Sequence, residues 1–200
     1  MRWREGGPPC DPHRMEPETL ARSIFVVFDL ETTGMKCEDG HEIVEIGAVP
    51  IIEGRVREDC AFQALVDPDR PIPAEATAVH RITDDMVRGR PRLDVVLPEF
   101  LRYVGSHDLV AQNAEFDMAF VRHGCSRLGL DEPSCRVHDT LLLSRRLHPG
   151  ERRHSLDDIC RRLEVDVSGR QRHRSIDDVL LTAEAFLRLC SRLAERGETS

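Results

Sequence analysis

Residues 24–30 read Ile-Phe-Val-Val-Phe-Asp-Leu, an apolar run rich in β-branched and aromatic side chains. Such a run, about 4–8 residues long and followed by turn formers, predicts a strand covered on both of its faces. The stretch Thr-Thr-Gly-Met-Lys-Cys-Glu-Asp-Gly-His turns the chain, and Glu-Ile-Val-Glu-Ile-Gly-Ala-Val-Pro-Ile-Ile (42–52) supplies a second strand. A third is expected over 55–66, with Gly54 marking a hairpin between the two. The chain therefore opens as a three-stranded antiparallel meander, which needs helices to bury its faces.

The rest alternates. A Pro-rich loop (67–73) leads into short helical pieces at 75–80 and 83–87, then a helical pattern over 92–104 that Pro98 interrupts. A short strand at 108–112 follows. Asn113 is placed to cap a helix that Gly129 ends. Val137 sits in a further strand, and Asp139 opens a helix through Leu147. The last helices, 155–163 and 175–193, both begin Ser-x-x-Asp, which suits an N-cap. Hairpin strands followed by strand–helix alternation predict an α/β mixed sheet, a meander joined to parallel strands and flanked by helices. Residues 1–22, rich in Pro, Gly and charge, are expected as a flexible leader to a domain over 23–194, with 195–200 frayed.

Composition narrows the function classes. Aromatics make up 4% of the 200 residues, which argues against a stacking platform for single strands. The balance of 36 acidic against 28 basic residues, net −8, argues against a general basic field for nucleic acid. No apolar run approaches the roughly 18 residues of a membrane span, and the N-terminus lacks the hydrophobic stretch of a secretory signal. The seven cysteines never fall in CxxC spacing, so reduced thiols in the cytoplasm are expected and a zinc site is not.

Three acidic features stand out. Asp29 and Glu31 end the first strand, and a strand period of two sends both carboxylates to one face. Like charges there are costly unless a cation lies between them, and hard oxygen donors suit Mg²⁺ or Mn²⁺; the alternative is that the strand ends and both are solvated. Asp117 interrupts the apolar helix Ala-Glu-Phe-Asp-Met-Ala-Phe, near a buried stripe, where a solvated or salt-bridged Asp is the plainer reading. His173 precedes the last helix and Asp178 falls in its first turn, where simple capping accounts for Asp178 equally well.

Together these features, in the blocks Phe-Asp-Leu-Glu-Thr-Thr-Gly (28–34), Glu-Ile-Val-Glu-Ile-Gly-Ala-Val (42–49), Ala-Val-His-Arg-Ile-Thr-Asp-Asp-Met-Val (78–87), Leu-Val-Ala-Gln-Asn-Ala-Glu-Phe-Asp (109–117), the segments 139–149 and 154–163, and His-Arg-Ser-Ile-Asp-Asp (173–178), resemble the DEDDh branch of the DnaQ-like 3′→5′ exonucleases, in particular the epsilon-type proofreading domains of bacterial DNA polymerase III. The resemblance spans about 24–190. It implies an RNase H-like mixed five-stranded sheet, and two divalent cations held by Asp29, Glu31, Asp117 and Asp178, with Asp29 bridging them and His173 as general base. Substrate contacts would fall on Leu30, Thr32, Glu75, His80 and Phe116, with Glu75 at the terminal 3′-hydroxyl and Val79 and Phe116 as an apolar wedge between the last bases.

The implied substrate is a single-stranded or frayed DNA 3′ end, the implied partner a DNA polymerase subunit. The same five catalytic residues serve RNA exonucleases of the oligoribonuclease or RNase T type, and an inactive polymerase-associated scaffold is the alternative of a different class. Gln112 stands where the family usually has His, which predicts altered nucleotide contacts or rate. Arg170, Arg172 and Arg174 beside His173 are open to phosphate contact or simple solvation. Oligomeric state is left open.

Overall fold

The computed structural model describes residues 23–169 and 173–197; the expected leader, Arg170, Arg172 and the final three residues lie outside them. Strand β1 (Ile24–Thr32) pairs antiparallel with β2 (Ile43–Ile52) along its whole length. Beyond β2 lie β3 (Arg55–Val56) and β4 (Phe62–Leu65), both antiparallel to it. On the other side of β1, β5 (Asp108–Ala111) and β6 (Val137–Asp139) run parallel. Among the described residues this is a six-stranded mixed sheet of order β3-β2-β1-β5-β6, with β4 also on β2. It spans the five positions expected, because β3 and β4 are two pieces of one broken strand. The break falls at the charged run Arg57-Glu58-Asp59, which leaves the ladder for a short 3-10 turn where the Arg57 guanidinium bonds Asp59 in solvent.

Among the described residues seven α-helices follow the sheet's logic: α1 (Ala74–His80), α2 (Asp84–Val87), α3 (Leu93–Val104), α4 (Ala114–Leu128), α5 (Thr140–Leu147), α6 (Leu156–Arg162) and α7 (Ser175–Glu195). Side chains alternate across β1. Phe25 and Val27 join α5, α6 and α7 in one core, while Val26, Phe28 and Leu30 join α3 and α4 in the other. Asp29 and Glu31 therefore continue the α7 face of the strand.

Local chemistry departs from the sequence reading at three places. Helix α3 is continuous through Pro98, because the carbonyl that loses its donor belongs to Asp94, on the exposed side. Asn113 adopts a left-handed φ of 60° and contributes no side-chain cap to α4; Asp139 accepts instead from the Asn113 and Ala114 N–H groups at 3.0 and 3.1 Å. Ser155 caps α6 as expected, accepting from Asp158 N–H at 3.2 Å. Ser175 does not cap α7: it lies inside the first turn, its side chain buried, and the cap position is Arg174. Gly129, with φ 65°, ends α4 as expected.

Candidate active site

The site forms where β1 outruns its parallel neighbour. Pairing of β1 with β5 ends at Val27–Val110, so the last third of β1 has an open edge on that side. Crevices at the carboxyl ends of parallel strands are the usual ligand sites of such sheets. Into this one, α4 sends Asp117 from its first turn: the carboxylate Oδ1 accepts the Leu30 N–H at 3.0 Å and is 2% exposed. Burial pushes the Asp117 carboxyl up to about 8, with the Leu30 N–H working against it. A neighbouring cation is the kind of group that would hold it ionised.

On the α7 face, ligand atoms of Asp29, Glu31 and Asp178 all lie within 4.8 Å of one another. Two of them come from one strand at a spacing of two, the third from the first turn of a helix more than a hundred residues later. Three carboxylates at that spacing, mostly buried, are a donor set of hard oxygens that fits a divalent cation. The sequence expectation that Asp29 and Glu31 share a face holds, and Asp178 joins them rather than serving a Ser175 cap. Asp117 approaches β1 from the other side of the sheet, at the Leu30 backbone.

His173 is exposed, has a left-handed φ of 62°, and donates its backbone N–H to Asp178 Oδ2 at 2.9 Å. A non-glycine residue is uncommon there and is held by what surrounds it. Its neighbour Arg174 is partly buried and pairs inward with Glu45. Nε and Nη2 donate to Oε2 and Oε1 of Glu45 at 3.3 and 2.8 Å. Glu45, on β2 opposite Glu31, is fully buried and also accepts from Ser175 N–H at 3.1 Å and Gln63 Nε2 at 3.1 Å. Burial pushes its carboxyl up, but the Arg174 and Ser175 hydrogen bonds outweigh that and leave it below the usual carboxylate range.

Of the residues expected to contact substrate, Leu30 and Thr32 lie on β1, and Glu75, Val79 and Phe116 line two clefts. Leu30 is buried, and Thr32 Oγ1 donates to the Gly34 carbonyl at 2.7 Å. Glu75 and Val79 line a cleft of about 480 Å³ with the 33–36 loop, whereas Phe116 lines a second of about 580 Å³ with Phe120. The loop carrying Met35 borders both, so Val79 and Phe116 face separate clefts with an exposed Met35 between them. His80 is 2% exposed, its Nδ1 accepting the Ile82 N–H at 3.0 Å, and burial lowers its pKa. Gln112 is engaged inside the molecule: its Nε2 donates to the His154 carbonyl at 2.9 Å and its Oε1 accepts from the Thr140 hydroxyl.

Four residues at or beside the site were not singled out by the sequence reading: Glu45, Gly47, Met35, and Asp139 as a cap for α4. A buried acid in an apolar strand was the available signal for Glu45. Nothing local distinguishes the other three.

A mixed sheet with a carboxylate cluster on its central strand offers a donor set that could hold divalent cations, and comparison with known proteins identifies the family. A family model described as Exonuclease matches residues 26–186, and the chain belongs to that family. It is 43% identical over 183 residues to the DNA polymerase III subunit epsilon-like protein of Rhodobacter capsulatus, covering 90% of this chain but 26% of that protein. It is 38% identical over 183 residues to DNA polymerase III subunit epsilon of Salmonella typhimurium, covering 88% of this chain and 72% of the relative. Among solved structures, exonuclease X in complex with 5′ overhanging duplex DNA matches with TM-score 0.66 and 33% identity, over 88% of this chain and 94% of that one. Exonuclease I shares the fold at TM-score 0.74 and 16% identity, over 87% of this chain and 42% of its own. Among the described residues no helix is long and apolar enough to cross a membrane.

Proposed function

We propose that this chain is a metal-dependent 3′→5′ exonuclease that releases nucleoside monophosphates from single-stranded or frayed DNA 3′ ends, in proofreading or repair. The observation that carries this reading is the convergence of Asp29, Glu31 and Asp178 within 4.8 Å, with Asp117 buried at the adjoining backbone. The epsilon relatives and the DNA-bound exonuclease X favour DNA over RNA.

In this reading Asp29, Glu31, Asp117 and Asp178 hold two divalent cations, Mg²⁺ or Mn²⁺. When bound, the cations supply an activated water and charge compensation for the leaving 3′ oxygen. The chain's own residues do the rest. Exposed His173, on its strained backbone beside Asp178, takes the proton of the attacking water. Glu75 and Val79 on one side and Phe116 on the other receive the last nucleotides, Glu75 at the 3′-hydroxyl. A DNA polymerase subunit is the partner that would deliver the 3′ end.

The test is degradation of matched 5′-labelled DNA and RNA oligomers with Mg²⁺ or Mn²⁺. Asp29→Ala is expected to abolish mononucleotide release and to weaken Mn²⁺ binding measured by calorimetry. His173→Ala should lower kcat by about 10²–10⁴-fold. Unchanged release by Asp29→Ala would reject the site, and RNA decay as fast as DNA decay would reject the substrate preference.

A further inference from the structure

On the face of β2 that looks toward α7, Glu45 and Gly47 stand directly opposite Glu31 and Asp29 of β1. These two positions are shaped around the start of α7. A Cβ built on Gly47 would lie 2.6 Å from Ser175 Oγ and 2.7 Å from its carbonyl carbon, so only glycine lets the helix come this close. Glu45 grips the same turn twice, through both nitrogens of the Arg174 fork and through the Ser175 N–H. On the near side, Asp178 N–H donates to the Arg174 carbonyl at 3.0 Å and His173 N–H to Asp178 at 2.9 Å. Residues 173–178 are thus a single hydrogen-bonded unit clamped to β2.

We propose that Glu45 and Gly47 form a cradle that positions the His173–Asp178 segment, with Arg174 as its tether; Glu45 and Arg174 are positioning residues and do not hold substrate phosphate. The proposal rests on the reading of His173 as base and Asp178 as a cation ligand. A carboxylate buried behind β1 is a poor contributor to stability for its own sake, and its value lies in fixing geometry. The clamp sets two groups at once. Asp178 is brought to Asp29 and Glu31, and His173 is held in a backbone conformation it would otherwise leave. A misplacement of about 1 Å at such a group is enough to cost roughly 10²-fold in rate.

The experiment uses the full chain, a 5′-labelled single-stranded DNA oligomer and Mg²⁺. Arg174→Ala and Glu45→Gln are each expected to lower kcat by about 10²-fold with KM held within about threefold. Arg174→Lys should recover part of the rate. Combining Glu45→Gln with His173→Ala should lose less than the product of the two single losses, because the part of the Glu45 effect that runs through His173 is already gone. If Arg174→Ala fails to fold, Glu45→Gln and Arg174→Lys carry the test. An effect of Arg174→Ala confined to KM and steepened by salt would overturn the proposal in favour of a phosphate contact. Multiplicative losses in the double variant would overturn it as well. Amide hydrogen exchange at 173–178 without added cation is independent of activity: faster exchange in Glu45→Gln supports the cradle, and unchanged protection sinks it. An inactive wild-type chain would therefore reject the exonuclease reading while the exchange result still decides the cradle.

Discussion

Removing the Arg174 partner from a carboxylate as buried as Glu45 leaves a charge with too few donors, and the loss of one member of such a pair costs about 3–5 kcal/mol. Arg174→Ala should approach the lower end, since Ser175 N–H and Gln63 still serve the carboxylate; urea unfolding measures it. Gly47→Ala presses a methyl into the Ser175 backbone, and overpacking of this kind costs about 1–3 kcal/mol. Its signature is a lower melting temperature together with a lower kcat, because the displaced turn carries Asp178. At this scale the sequence was legible where residue type and spacing suffice. Asp29 and Glu31 share a face by strand period alone. Arg174 was not legible, since its partner lies 129 residues away and nothing local separates a tethered arginine from a solvated one.

At the scale of elements, one carboxylate serves two helices. Asp139 caps α5 by accepting the Leu141 N–H at 2.8 Å and also closes the start of α4 through Asn113 and Ala114. Loss of a cap costs about 0.5–2 kcal/mol per helix end, so Asp139→Ala should fall in the upper part of that range. It should also speed amide exchange at both helix starts and lower exonuclease rate, because Asp117 sits in the first turn of α4. Loss of stability with normal exchange at Ala114 would separate the two roles. The helices over 93–104, 140–147 and 156–162 were readable from periodicity and capping residues. The start of α4 falls at Asn113 and Ala114 as the sequence indicates, but the side chain that caps it is that of Asp139, which arrives from the end of β6. The break between β3 and β4 was signalled only by three consecutive charges, which a strand edge also tolerates.

For the whole molecule, the pKa directions predict acid sensitivity in two stages. Burial lowers His107, and burial with the nearby Arg162 and Arg196 lowers His148. A depressed histidine stabilises the fold fully above its unfolded value near 6.5, and that contribution is lost as pH falls through it toward the folded value. Asp108 is pushed up by burial, but its His138 and Arg136 partners outweigh this and leave it depressed. Its contribution is present above about 3.9 and is lost as pH falls further, through the folded value. Urea midpoints at pH 7.5, 4.5 and 2.5 should decline stepwise; His107→Gln should flatten the upper step and Asp108→Asn the lower. By itself the sequence determined the meander, the helix spacing, the paired carboxylates on β1 and the family, because apolar period and short motifs are local properties of the chain. Only the tertiary structure decided that Asp178 joins Asp29 and Glu31 in one carboxylate cluster, that Asp117 reaches the Leu30 backbone where β1 outruns β5, and that Glu45 and Gly47 pack against the turn carrying His173 and Asp178. Those assignments depend on which elements meet across the sheet, and a distance between residues far apart in sequence is fixed by packing alone.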